Sequence, residues 1–75
     1  MTETYTAPPG RGSYSLYKRG AEPELIGQYP RTAEHAISAT ERARLLSIST
    51  LIPHEVMRPD GSLLARYVNG KRADL

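Results

Sequence analysis

Residues Thr32 to Ser47 read TAEHAISATERARLLS and carry both the spacing and the ends of a helix. Thr32 is placed as the N-cap, its hydroxyl oxygen accepting from the amide of Glu34 or His35, which lack intrahelical partners. Pro30 biases Tyr29 toward extended backbone, so a strand ends just before the cap. Glu34 suits the positive end of the helix dipole, and Arg42 and Arg44 suit its far end. Ala33, Ala36, Ile37, Thr40, Ala43 and Leu46 recur at three- and four-residue spacing as one thin apolar stripe, with Ile37 and Leu46 as its large anchors. Glu34, Ser38, Glu41, Arg42 and Leu45 fall mainly on the other side. A stripe rich in alanine suits the flat surface of a sheet, and a helix this short needs such support in water.

Two stretches precede the helix. Ser13 to Arg19, SYSLYKR, alternates so that Tyr14, Leu16 and Lys18 point one way and Ser15, Tyr17 and Arg19 the other, a strand pattern. Gly20 to Pro23 is turn material. Glu24 to Tyr29, ELIGQY, is an antiparallel second strand in which Gly27 marks a bulge or a close approach of the helix. After the helix, whose propensity fades between Ser47 and Thr50, His54 to Arg58 forms a third strand. Pro59-Asp60-Gly61-Ser62 is a turn, since Pro presets its own φ and Asp-Gly supplies positive φ. Leu63 to Val68 is the fourth strand. Asn69-Gly70 is another turn signal, followed by a basic end expected to fray.

The expected architecture is therefore α+β: an antiparallel four-stranded sheet in ββαββ order with one helix packed on one face. Residues 1–12 read as a flexible arm rich in Pro, Gly and Thr, residues 13–70 as the single domain, and residues 71–75 as the basic tail. About 60 residues then remain to build a core, near the lower limit for independent folding. The chain has no cysteine and two histidines without ligand spacing. Disulfides and thiolate metal sites are thereby excluded, and dimerisation becomes a natural further source of stability. No apolar run approaches a membrane span and no signal-peptide core is visible, so the default is a cytoplasmic protein. Ten basic and eight acidic residues give a net charge of +2, which permits nucleic-acid binding without calling for it.

The run of a strand hairpin, a helix bearing Thr32, Ala36, Ile37 and Ala39, and a hairpin turning at Asp60-Gly61 resembles small uncharacterised bacterial and phage domains of the ββαββ kind. The resemblance covers roughly residues 13–68. It implies a fold, and by analogy a protein that binds and blocks a larger one.

No catalytic set emerges from the residues. His35 and His54 lack a nucleophile or carboxylate in a recognisable arrangement, and His54-Glu55 is followed by Arg58 where the zinc-protease motif needs its second histidine. The serines have no nucleophile-elbow context, and the glycines between Pro8 and Gly12 have the wrong spacing for a phosphate loop. No cofactor is expected.

The tyrosines and arginines on the strands carry the functional expectation. Tyr17, Arg19, Arg58, Arg66 and Tyr67 are the expected interface residues for another protein, since Tyr and Arg are favoured anchors. An exposed sheet edge offers a second route, by strand addition or edge-to-edge homodimer formation. The bland counterpart is that these rings complete a small core. The alternative function is nucleic-acid binding on the same face, helped by Arg42, Arg44, Lys71 and Arg72.

Overall fold

The computed structural model describes residues 12–74, so all of the arm expected at residues 1–12 except Gly12 lies outside the described residues. The described chain runs β1 (Ser13–Arg19), β2 (Pro23–Pro30), α1 (Ala33–Ser49), β3 (His54–Met57), β4 (Leu63–Val68) and β5 (Lys71–Arg72). The fold is α+β, and its single sheet has five strands in the order β2-β1-β3-β4-β5, one more than expected. Every pairing is antiparallel. The added strand is made by the residues expected to fray. Asn69 (φ 53°) and Gly70 (φ 84°) close a two-residue turn with both central residues left-handed, the geometry that matches strand twist. Beyond it, the Ala73 amide donates to the Arg66 carbonyl at 2.8 Å, and the Arg66 amide donates to Asp74 Oδ1 at 3.2 Å.

The helix begins as its sequence dictates. Thr32 is extended at the N-cap, and its Oγ1 accepts from the His35 amide at 3.2 Å. Its buried face differs from the expected stripe. Ala39, Ala43 and Ser47 are the buried positions, while Ile37, the expected anchor, is 68% exposed. Both faces of α1 are weakly apolar, so spacing alone did not choose between them. Packing did, because small side chains let the helix axis lie close to the sheet. Arg42 and Arg44 also lie short of the last turn, which holds no basic residue.

The core joins Ala39 and Ala43 to Leu16 and Val56, all fully buried. Leu16 pairs with Gly27 on one side and Val56 on the other, and Val56 pairs with Ala65. Paired residues share a face, so this row is the sheet's helix side. A bulge at Leu16/Tyr17 resets the β1–β2 register. Gly27 does not meet the helix backbone. A Cβ there would lie 3.5 Å from the Tyr29 ring, which folds back over it.

At its far end α1 is tied to the last hairpin. Ser47 Oγ accepts from the Gly70 amide at 2.8 Å and donates to the Arg44 carbonyl at 2.7 Å. Leu51, just past the Thr50 cap, takes a left-handed φ of 61° where glycine is usual, and it is 76% exposed.

Candidate protein-binding face of the sheet

Alternation on the strands divides the candidate residues cleanly. Ser15, Tyr17 and Arg19 on β1 point away from Leu16 and hence away from α1. Their partners share that side: Gln28 and Leu25 on β2, and Met57 and Glu55 on β3. Arg66 on β4 joins them, opposite Glu55. No helix covers this face among the described residues.

At its centre lies an arginine–carboxylate–arginine bridge across three strands. Arg19 Nε donates to Glu55 Oε1 at 2.6 Å, and Arg66 Nε lies 3.6 Å from Glu55 Oε2. The Glu55 side chain is 14% exposed, against 35% for Arg19 and 44% for Arg66, so the carboxylate sits below its two cations. The Arg19 guanidinium also lies over the Tyr17 ring, 5.3 Å from its centroid. A cation held both by a carboxylate and by a ring face loses rotamer freedom before any partner arrives. Beside this bridge, Tyr17, Leu25 and Met57 are half-buried, and Ser15 is fully buried. The Ser15 hydroxyl has no hydrogen-bond partner among the described residues. Among the described residues this uncovered sheet face thus carries an apolar middle with fixed charges.

The expected site residues separate on this frame. Tyr17, Arg19 and Arg66 come together. Tyr67 does not: it pairs with buried His54, packs against the core on the helix side, and receives the Arg72 guanidinium 5.9 Å from its ring centroid. Arg58 lies beyond β3 in the turn, where its Nη1 donates to the Leu63 carbonyl at 2.6 Å and to Ser62 Oγ at 3.1 Å. Glu55 is the member that sequence reading missed. Its signal was available, since it stands at the position facing Tyr17 and Arg66 once the strands are in register. The four cations of the nucleic-acid alternative are dispersed. Arg44 pairs with Glu41 and Arg72 with Asp74, both at 2.6 Å, while Arg42 is on the helix and Lys71 on the last strand.

Hydrogen bonds lower the proton affinity of three acidic groups, Glu41 through Arg44 among them. The Arg72 guanidinium holds Asp74 well below the usual carboxylate range, with the Arg66 amide adding to it. The Ser62 hydroxyl and amide lower the proton affinity of Asp60 in the β3–β4 turn, where Ser62 Oγ lies 2.6 Å from Asp60 Oδ1. Among the described residues no three His, Asp or Glu side chains gather as metal ligands. No helix among them is long and apolar enough to cross a membrane.

A concavity lies on the helix side. Tyr29 of β2 and Ile37, Ser38, Glu41, Arg42 and Leu45 of α1 line an open groove of about 540 Å³. It exists because five strands spaced about 4.8 Å apart are wider than one helix of about 10 Å can cover. Among the described residues the adjoining β2 is an edge strand, paired only with β1.

Comparison with known proteins gives no match. No family model, no curated protein and no solved structure corresponds to the chain.

Proposed function

We propose that the chain is a non-catalytic interaction protein that captures another protein on the open face of its sheet. The supporting observation is the Arg19–Glu55–Arg66 bridge beside half-buried Tyr17, Leu25 and Met57. Tyrosine and arginine are efficient anchors because they bury large area and hydrogen-bond at the rim. Here the arginines are already oriented, so little ordering cost remains at binding. The outer edge of β2, unpaired among the described residues, borders the same face and offers backbone groups to an extended segment of the partner. The resemblance to small bacterial and phage ββαββ domains supports a further step, that occupying the partner blocks it. A cytoplasmic site of action belongs to the same proposal.

The test is affinity capture by the wild-type chain and by a Tyr17→Ala/Arg66→Ala double variant of equal thermal stability. Partner recovery falls at least tenfold in the variant if the open face is used, as expected for loss of two anchors. Equal recovery overturns the reading. Capture of nucleic acid instead, falling steeply with salt, assigns the surface to phosphate binding.

A further inference from the structure

The outward side of α1 carries most of its large apolar residues. Ile37 is 68% exposed, Leu45 50% and Ile48 44%, whereas the inward side buries Ala39, Ala43 and Ser47 and packs one large residue, Leu46, against the core. Ile37, Glu41, Arg44 and Ile48 succeed one another at intervals of four, three and four residues, the seam of two packed helices. The four are also symmetric. Ile37 stands one turn before Glu41, and Ile48 stands one turn after Arg44. Charge follows the same symmetry at the centre of the seam, with Glu41 just before the midpoint and Arg44 just after it.

We propose that a second copy of this chain docks antiparallel on α1 through Ile37, Glu41, Arg44 and Ile48. An isologous contact requires a surface complementary to itself after a two-fold rotation. Reversing one helix against the other places Ile37 on the partner's Ile48 and Glu41 on the partner's Arg44, twice each. A parallel pairing in register places Glu41 on glutamate and Arg44 on arginine, which repels. Within one chain Arg44 Nη2 already lies 2.6 Å from Glu41 Oε2, so both side chains are held along the seam. A polar pair in the middle of an otherwise apolar seam fixes register, as buried polar residues do in coiled coils. The contact is independent of the proposed function. It uses the side of the molecule away from the open sheet face, so the dimer presents two such faces pointing apart, and a partner with two epitopes gains avidity.

The test is sedimentation of the full chain from micromolar to millimolar concentration, with folding checked by circular dichroism. The wild type is expected to shift from monomer to dimer, and Ile37→Glu to stay monomeric with an unchanged spectrum. Glu41→Arg and Arg44→Glu each weaken the dimer about tenfold or more by setting like charges together, and the double reversal restores it. A wild type monomeric throughout overturns the proposal. So does a dimer indifferent to Ile37→Glu, or a double reversal that restores nothing.

Discussion

Arg19 Nε lies 2.6 Å from Glu55 Oε1, joining two strands across the uncovered face of the sheet. Arg66 approaches the other carboxylate oxygen from the far side. Removing the charge at Glu55 leaves two guanidinium groups facing one another without their counterion. Partly exposed pairs contribute little each, but here one carboxylate serves two cations. Glu55→Gln is expected to lower stability by about 1 kcal/mol, read from the urea midpoint at constant slope. A variant as stable as the wild type would show that the bridge only orients its arginines.

Ser47 is the fully buried joint between α1 and the last hairpin. Ser47→Ala leaves the Gly70 amide without its acceptor and costs about 1–2 kcal/mol. Hydrogen exchange locates the effect: the Gly70 amide should lose protection before the amides of β1 and β3 do. Uniform loss across the sheet would contradict this local role.

Leu51 holds a left-handed backbone at the end of α1 while exposing most of its side chain. Leu51→Gly relieves that strain and removes little packing. The gain, about 0.5–1 kcal/mol, is reduced by the greater freedom of glycine in the unfolded chain. A higher melting temperature for the variant is the expected reading. A lower one would mean that the leucine side chain makes a stabilising contact.

The lowered proton affinity of Asp74 ties the C-terminal strand to pH. Its first cause is the hydrogen bond from Arg72. A carboxylate whose folded pKa lies below its unfolded value stabilises the fold above that unfolded value, and the contribution is lost as pH falls through the folded one. Asp74→Asn should therefore be less stable than the wild type at neutral pH. The difference should shrink steadily below about pH 4. A gap of constant size from neutral to strongly acidic pH would place the effect in the hydrogen bonds rather than in the charge.

Local rules carried most of the fold into view. The β1 and β4 limits, the Thr32 cap and the Asp60-Gly61 turn follow from alternation, capping and turn chemistry, each confined to a few neighbouring residues. The rotation of α1 was not legible, because Ile37 and Ala39 are equally compatible with a helix and only the closeness of the sheet selects alanine. The short β5 was hidden for a similar reason. Lys71 and Arg72 have no strand pattern of their own and are held by the Asn69-Gly70 turn and by Asp74. On the candidate face, Tyr17, Arg19 and Arg66 could be read from alternation, whereas Glu55 required the β1–β3 register. Tyr67 has the alternation of an interface residue but lies on the helix side, a choice made by the register of β4 on β3.

The most direct measurement places a photo-crosslinking residue at Gln28, exposed on the open face, and separately at Ser38, exposed on α1. The Gln28 probe is expected to form an adduct with a different protein, and Tyr17→Ala/Arg66→Ala to abolish it, while the Ser38 probe gives no adduct with that protein. Adducts with that protein from Ser38 alone would overturn capture on the open face and assign it to the helix side.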